Sequence, residues 1–225
     1  MVQDFSWLQK AVLTMGKTTI TGVEKAIQAL LCNDMTAAAD AREIEKKIDA
    51  MYYAVNEHCM SRLADTMHTR SDVNFVVCSL KIAMELERIG DYANQIAKIV
   101  QRKLSHQDVN SFKTMNCSAG SMRDQSLEML KDALRAYEQG NPDAVQIIKA
   151  QDESVDKSNK DLYRNMLCIV SVNSWVQEAV MDYHIAIRYI ERVADRATNI
   201  AEQVYYIAHS ESVKKKPVQE DIWND

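Results

Sequence analysis

Turn-forming residues are scarce in this chain, and that scarcity limits the folds open to it. The 225 residues contain only 5 Gly and 2 Pro. A β-sandwich, a β-barrel or a doubly wound sheet needs a turn about every ten residues, and Gly and Pro supply most such turns. The sequence therefore predicts an all-α protein built from long helices.

Composition and charge narrow the classes of function. The net charge of −5 argues against nucleic acid as a partner, because neutralising phosphates takes clustered Lys and Arg. No apolar stretch approaches the roughly 20 residues that a membrane span requires. The amino-terminal sequence MVQDFSWLQK is unlike a signal peptide. We therefore expect a cytoplasmic protein whose five scattered cysteines are reduced thiols.

Capping and breaking residues divide the chain into six predicted helices. Asn33-Asp34 should end the first helix, and Asp72 should cap the third. Gly140-Asn141-Pro142 should end the fourth helix and start the fifth, with Pro142 at the first helical position. The predicted bounds are about Phe5–Cys32, Thr36–Met67, Asp72–Leu104, Cys117–Gln139, Pro142–Val170 and Ser174–His209.

The two halves of the chain repeat one pattern. The segment ELERIGDYANQIAKIV, which begins at Glu85, aligns with YIERVADRATNIAEQV, which begins at Tyr189. ADAREIEKKIDA, which begins at Ala39, aligns with QIIKAQDESVDK, which begins at Gln146. Apolar residues in the first pair of segments follow steps of four and three, as in helices packed in a bundle. These seam positions are Ile82, Leu86, Ile89, Ala93, Ile96 and Val100, repeated as Ala186, Ile190, Val193, Ala197, Ile200 and Val204.

This internal repeat predicts the domain organisation. The polar connector Ser105–Ser111 separates the two copies. We therefore expect two pseudo-symmetric three-helix bundles, residues 1–108 and 109–209, followed by a frayed tail of residues 210–225.

Acidic pairs recur at matched positions of the repeat. The two carboxylates of each pair are four residues apart, which places them on one helix face about 5 to 6 Å apart, where like charges repel. Each half has two such pairs, so each bundle can present four carboxylates. Oxygen ligands of this kind suit divalent or trivalent cations. The eight candidate metal ligands are Glu45, Asp49, Glu87, Asp91, Asp152, Asp156, Glu191 and Asp195.

The same acids have simpler explanations, which their spacing leaves open. A solvated helix face would carry them without a ligand. Alternatively, Arg88 and Arg192, each next to the first acid of a pair, would neutralise them in an ion-pair network. The chain has no Glu-x-x-His motif of a di-iron bundle, no nucleophile–histidine arrangement and no glycine-rich phosphate loop. We therefore expect no catalytic residues and no enzymatic activity.

Two longer segments carry a family resemblance. SLKIAMELERIGDYANQIA and IAIRYIERVADRATNIAEQVYYIA resemble the signature helices of the PhoU family, bacterial regulators of phosphate uptake. The resemblance covers about residues 5–209 and rests on the doubled Glu-Arg-x-x-Asp motif. It implies two three-helix bundles, in agreement with the repeat. It also implies a negative regulator of phosphate uptake and of the phosphate-starvation response. Such a regulator couples the ATPase of the phosphate ABC transporter to a membrane sensor histidine kinase.

The resemblance also implies a cofactor. Iron or zinc would be bound as multinuclear clusters, one at the four acids of each half. Asn199, one turn beyond Asp195, is an additional candidate whose counterpart is Gln95. A metal-dependent or metal-storing bundle and a metal-free helical adaptor stay open as alternatives. The exposed faces of the bundles lead us to expect a homodimer.

Two positions depart from the family pattern. The family usually has Asp-Leu-Arg at the start of the third helix, where this chain has Asp72-Val73-Asn74. The second signature has Ala194 where Gly is usual. Because Ala favours helix more strongly than Gly, we expect an intact helix there, without the close backbone approach that Gly permits.

Overall fold

Six long helices make up the protein in the computed structural model, which describes residues 5–64, 69–104, 113–172 and 177–210. They are α1 (Ser6–Cys32), α2 (Met35–Ala64), α3 (Arg70–Ile99), α4 (Lys113–Gln139), α5 (Ala144–Val172) and α6 (Gln177–His209). A π-helical turn, Val100–Leu104, continues α3. These residues contain no strand, so the predicted all-α class is confirmed.

The turn between α1 and α2 is the one that the sequence predicts. Asn33 adopts a left-handed conformation, with φ of 52°, and ends α1. The Oδ1 atom of Asp34 accepts hydrogen bonds from the backbone amides of Thr36 and Ala37, both at 3.0 Å. Because such amides lack a partner within their own helix, Asp34 stabilises the start of α2, which begins at Met35.

The start of α3 corrects one capping prediction. The N-cap is Thr69 and not Asp72. The Oγ1 atom of Thr69 accepts a hydrogen bond from the Asp72 amide at 3.2 Å, and the Asp72 carboxylate accepts one from the Thr69 amide at 3.0 Å. This reciprocal capping box satisfies two amides and moves the first helical residue to Arg70.

The turn between α4 and α5 confirms one prediction and corrects another. Gly140 has a positive φ of 63°, as expected for the residue that ends a helix. Asn141, however, accepts a hydrogen bond through Oδ1 from the amide of Asp143 at 3.1 Å. The prediction that Pro142 opens the fifth helix was wrong. This side-chain bond stabilises a turn first, and α5 begins at Ala144.

Each half of the chain packs as a three-helix bundle. Helices α1, α2 and α3 contact one another, as do α4, α5 and α6, while α3 packs against α6 and α1 against α4. Every seam position that the repeat predicts in α3, its π-helical turn and α6 is at most 2% exposed. Since a fully buried Ile, Leu or Val contributes roughly 1.5 to 3 kcal/mol, these seams are a major source of stability.

Two parts of the predicted organisation lie outside the described residues. They are the connector Ser105–Ser111 and the tail after Ser210. The domain limits at 108 and 209 therefore stay predictions. Within the described ranges, no helix is both long and apolar enough to cross a membrane.

Gly90, in the first signature segment, allows α3 to approach α2 closely. The second bundle has different residues at the matched positions. A Cβ atom on Gly90 would lie 3.0 Å from Cδ1 and 3.2 Å from Cγ2 of Ile48, which is fully buried. In the repeat, Ala194 is the counterpart of Gly90, and Val155 is the counterpart of Ile48. The second bundle therefore has one more carbon on α6 and one fewer at the matched position of α5. This exchange gives a physical reason for the departure at Ala194.

Gly90→Ala should lower the free energy of unfolding by about 1 kcal/mol. Overpacking against the rigid, β-branched Ile48 costs roughly 1 to 3 kcal/mol, and the better helix propensity of Ala offsets about 1 kcal/mol of it. Urea unfolding followed by circular dichroism measures this difference.

Ile48→Val provides the matched partner variant, because it removes the atom nearest the new methyl group. In that background Gly90→Ala should be neutral or stabilising. Additive effects in the double variant would contradict the proposed contact.

Ion pairs and aromatic rings occupy equivalent positions in the contact between α3 and α6. Glu85 is 8% exposed, and its Oε2 atom lies 3.2 Å from Nη1 of Arg196. The repeat relates this pair to Tyr189 and Tyr92, whose ring centroids are 5.6 Å apart. Positions that are equivalent in the repeat therefore hold a buried ion pair in one case and an aromatic pair in the other, both at the interface between α3 and α6.

Two arginines extend these contacts: Arg88, next to Glu87, extends the ion pair, and Arg192, next to Glu191, extends the aromatic pair. Arg88 donates to Oε1 of Glu85 at 3.2 Å. Its counterpart Arg192 lies over the rings of Tyr92 and Tyr189, at 5.8 and 5.4 Å from their centroids. Arg192 thus contacts rings of both α3 and α6 through cation–π interactions, whereas Arg88 pairs within α3 with the carboxylate that also binds Arg196 of α6.

The departure at Asn74 supplies a further link between the halves. Its Nδ2 atom donates to Oγ of Ser210 at 2.8 Å, joining the first turn of α3 to the end of α6. The α3–α6 pair therefore has one polar contact at the end formed by Asn74 and Ser210 and another near its middle, between Glu85 and Arg196.

Glu85→Gln should destabilise the protein by about 1 to 3 kcal/mol. The change leaves the guanidinium groups of Arg88 and Arg196 facing a neutral amide in a nearly buried site. Urea unfolding at pH 7 measures the loss.

Glu43→Gln is the control, because the Glu43–Lys46 pair is a fully exposed ion pair at 2.7 Å. It should change the free energy of unfolding far less than Glu85→Gln does, because exposed ion pairs contribute little to stability. Equal effects of the two substitutions would show that the Glu85 pair contributes no more than a surface pair.

Candidate functional site

The structure brings together the four predicted acids of the first bundle. Glu45 and Asp49 lie on α2, and Glu87 and Asp91 lie on α3; we call these residues the first quartet. Burial raises the pKa of Glu87, and the carboxylates of Asp91 and Asp49 raise it further. Burial and the Asp49 carboxylate also raise the pKa of Asp91. The repulsion therefore acts between the helices as well as along each one.

The acids of the second bundle meet in the same way. Asp152 and Asp156 lie on α5, and Glu191 and Asp195 lie on α6; these residues form the second quartet. Burial raises the pKa of Asp152 to about 6, and the carboxylates of Asp195 and Asp156 contribute to the increase. Burial also raises the pKa of Glu191 and of Asp195, with the Asp156 carboxylate adding to both. All eight predicted residues are thus grouped as the repeat implies.

Positive side chains lie near both quartets but form no direct ion pair with them. In the part of the chain that the structure describes, no Lys or Arg nitrogen forms an ion pair within 4.0 Å with any of the eight acids. Arg88 pairs with Glu85 instead, and Arg192 lies against aromatic rings. The ion-pair network left open by the sequence is therefore not formed by these two arginines. At longer range, the charges of nearby Lys and Arg side chains still partly oppose the rise in pKa of Glu87, Asp91, Glu191 and Asp195.

One residue at the first quartet was missed by the sequence analysis. Asn94 donates from Nδ2 to Oε1 of Glu45 at 2.6 Å, and only 6% of Asn94 is exposed. The available signal was spacing, since Asn94 follows Asp91 by three residues and Glu87 by seven, on the same helix face. The predicted extra candidate was Asn199, whose role stays a prediction.

The chemistry of the donor atoms suits a hard cation, but their arrangement in this structure does not. Carboxylate oxygens in partly buried, negatively charged surroundings are suitable ligands for divalent cations. Among the described residues, however, no three His, Cys, Asp or Glu side chains converge closely enough to hold one ion. The quartets therefore do not form a single-ion site of three such side chains. The eight metal ligands, and iron or zinc as the metal, stay predictions.

Asp152→Asn should remove part of the pH dependence of stability in metal-free protein. The folded-state pKa of Asp152 is raised from 3.8 to about 6, so its favourable contribution is fully present below pH 3.8 and is lost as pH rises through about 6. The variant should therefore be more stable than the wild type at pH 7, by about 1 kcal/mol after allowing for solvent screening.

Urea unfolding at pH 4, 5, 6 and 7 in the presence of a chelator measures this effect. Asp161→Asn is the control, because this exposed acid of α5 pairs with Arg164 and lies outside the quartet. An Asp152→Asn profile parallel to that of the wild type would refute the expected linkage.

The fold and the grouped acids define a class of protein: an all-α chain with a duplicated three-helix repeat and one acidic quartet per copy. The PhoU domain matches residues 12–100 and 120–204, one match in each half. The chain belongs to the PhoU family.

Sequence similarity to other proteins supports this assignment and extends over most of their length. The chain is 29% identical over 207 residues to "Phosphate-specific transport system accessory protein PhoU" of Serratia marcescens, covering 92% of this chain and 84% of that protein. It is 31% identical over 203 residues to a PhoU homolog of Synechocystis, covering 89% and 87%. These relatives support an accessory role in phosphate transport.

Solved structures show the same architecture. PhoU from Pseudomonas aeruginosa superposes with a TM-score of 0.85 at 25% identity, covering 92% of this chain and all of that one. The phosphate transport system regulatory protein PhoU from Streptococcus pneumoniae superposes with a TM-score of 0.81 at 24% identity, covering 93% and 97%. The predicted duplicated-bundle fold is confirmed.

Proposed function

We propose that this protein is a negative regulator of phosphate uptake and of the phosphate-starvation response. It would act in the cytoplasm, without catalysis, as an adaptor between the ATPase of the phosphate ABC transporter and a sensor histidine kinase. The observation that carries the proposal is the match of both halves to the PhoU domain, together with relatives named as accessory proteins of phosphate-specific transport.

The surface is compatible with an adaptor. Trp7 on α1 is 49% exposed and Tyr53 on α2 is 67% exposed. Trp7 also lines an apolar groove between these helices, together with Met51 and Val55. Exposed aromatic side chains beside an apolar groove are typical of surfaces that bind proteins, including a second copy of the same chain. We therefore also propose a homodimer, which sedimentation equilibrium would test.

Metal binding is the second element of the proposal. Iron or zinc at the two quartets would neutralise carboxylates that no described Lys or Arg pairs with. A bound cation would supply positive charge between α2 and α3, and between α5 and α6. The protein residues supply the oxygen ligands and keep them partly shielded from water.

A metal-free adaptor is the competing candidate, and one observation favours it. No three acidic, histidine or cysteine side chains of the described residues converge on one point. In that case the quartets would be a negatively charged docking surface, and their amide variants would affect partner binding without changing metal content.

A gene deletion tests the regulatory role. Loss of the protein should switch on starvation genes in high phosphate, and the wild-type gene should silence them again. Starvation genes that stay silent in the deletion strain would refute the proposed repression. A phosphatase reporter measures the response.

Elemental analysis tests the metal, using protein purified without a metal-affinity tag. Wild-type protein should contain iron or zinc, which should be lost when all eight quartet acids become Asn or Gln. The matched control changes Asp124 and Glu128, two exposed acids four residues apart on α4 that pair with arginines. Absence of metal from the wild type would leave the metal-free adaptor as the better explanation.

A further inference from the structure

An apolar groove lies between the first half of α1 and the second half of α2. It is lined mainly by Trp7, Ala11, Met51, Ala54 and Val55, and its volume is about 220 Å³. Pockets for drug-sized ligands measure roughly 300 to 1,000 Å³, so this groove fits one or two large side chains. Because burying apolar surface is favourable, an apolar occupant suits it.

Three lysines mark the groove and one of its ends. Lys10 lines the groove, and Lys17 and Lys47 each lie one helical turn beyond its last lining residues. Because a short turn joins α1 to α2, the two helices run antiparallel and these two lysines lie at the same end. In the described part of the chain, the lysine ion pairs within 4.0 Å involve other lysines, and the nearby Glu43 pairs with Lys46. The groove therefore suits an occupant that carries negative charge.

The end of α6 lies near the opposite end of this groove. Ser210 accepts a hydrogen bond from Nδ2 of Asn74 at 2.8 Å, in the first turn of α3. The ring of the next residue, Phe75, has its centroid 5.1 Å from that of Phe5, which precedes Trp7 by two residues. Since α6 packs on α3 and α3 packs on α1, the end of α6 is two interaxial distances, or about 20 Å, from the Trp7 end of the groove.

The segment 211–225, which lies outside the described residues, contains side chains of matching chemistry. Its sequence EDIWND, which begins at Glu220, places Ile222 and Trp223 between acidic residues. Trp223 follows Ser210 by 13 residues, which span up to about 45 Å when extended. The path needs about 20 Å across the helices and about 10 to 15 Å along the groove. The segment is therefore long enough to fill the groove of its own chain.

We propose that residues 217–225 dock into the groove between α1 and α2 of the same chain. Ile222 and Trp223 fill the apolar groove, and the acids on either side of them face its lysines. The linker 211–216 keeps the segment at a high effective concentration, which favours docking within one chain over docking into another. Residues 1–4 also precede α1, but they contain no aromatic side chain.

This contact would control access to the groove. The docked segment competes with a second copy of the chain, so it opposes the homodimer proposed above. Any other partner that uses the groove must displace the segment, and the chemistry of the groove favours a peptide that carries an aromatic residue between acids. The docking itself does not depend on the regulatory role in phosphate uptake.

Fluorine NMR of the full chain tests the docking. Fluorinated tryptophan labels all three Trp residues, and Trp223→Phe identifies the resonance of Trp223. In the wild type this resonance should differ from that of a fluorinated peptide of residues 217–225, because protein surrounds the docked ring. Ala54→Glu places a charged side chain in the groove and should return the resonance to the free-peptide position.

Ala39→Glu is the matched control, because Ala39 is an exposed alanine of α2 far from the groove. It should leave the resonance of Trp223 at the wild-type position. A wild-type resonance at the free-peptide position would show that the segment is frayed, as the sequence predicts, and would overturn the proposal.

Dilution of the wild-type protein separates the two possible arrangements. A contact within one chain is independent of protein concentration, so the resonance of Trp223 should stay where it is. A resonance that moves to the free-peptide position on dilution would show docking into a second copy and would overturn the intramolecular contact.

Binding of a fluorescein-labelled peptide of residues 217–225 gives a quantitative test. Full-length Trp223→Ala leaves the groove open, so it should bind this peptide at least about tenfold more tightly than the wild type does. Equal affinity for the two proteins would contradict an occupied groove in the wild type.

Charge reversal tests the contribution of the lysines. In the Trp223→Ala protein, changing Lys17 and Lys47 together to Glu should weaken peptide binding by about threefold or more. The same change at Lys81 and Lys160, exposed lysines of α3 and α5, matches the net charge and should have little effect. Equal weakening by both double changes would show only a general effect of charge and would overturn the placement of the acids. Sedimentation equilibrium measures the homodimer separately, so failure of that proposal is distinguishable from failure of the docking.

Discussion

The buried seams of α3 and α6 hold like charges together that would otherwise separate. Each seam buries six apolar side chains, and a fully buried Ile or Leu contributes roughly 1.5 to 3 kcal/mol. Repulsion between carboxylates one helical turn apart costs only a few tenths of a kcal/mol per pair. Core packing therefore outweighs the repulsion within the quartets. The raised pKa values of Glu87, Asp152 and Glu191 are the electrostatic consequence of this packing.

The two copies of the repeat have different side chains at matched positions. In one case these side chains fill a similar volume, and in another they make a different contact at the same place. Gly90 packs closely against Ile48, while the repeat places the larger Ala194 and the smaller Val155 at the matched positions. At the contact between the bundles, the Glu85 ion pair corresponds to a ring pair that includes Tyr189. Packing density constrains the first exchange, because a protein interior leaves little room for an added methyl group. Both copies therefore have the same fold, but the residues that make the equivalent contacts differ.

Charge distribution separates the structural acids from the candidate functional ones. Glu85 is neutralised by Arg88 and Arg196 and joins the two bundles. The adjacent signature acid, Glu87, has no comparable ion pair, although it lies only two residues away. A helix turns by about 100° per residue, so this step directs the two acids to different neighbours. Arginine beside an acid in the sequence is therefore no guide to which carboxylate it neutralises.

The sequence by itself determined the helical class, the six helices, the buried seams and the grouping of acids by copy. The first three features follow from local propensity and from the helical period, and the grouping of acids follows from the alignment of the two copies. Tertiary structure decided what depends on contacts between distant segments. It paired Arg88 with Glu85 rather than with Glu87, and it set Asn94 against Glu45, 49 positions away in the chain. The cap at Thr69 was also missed, because an N-cap can be shifted by three residues, from Asp72 to Thr69, without changing the apolar pattern. Periodicity specifies a helix face, whereas the partner of each polar atom depends on how the helices pack.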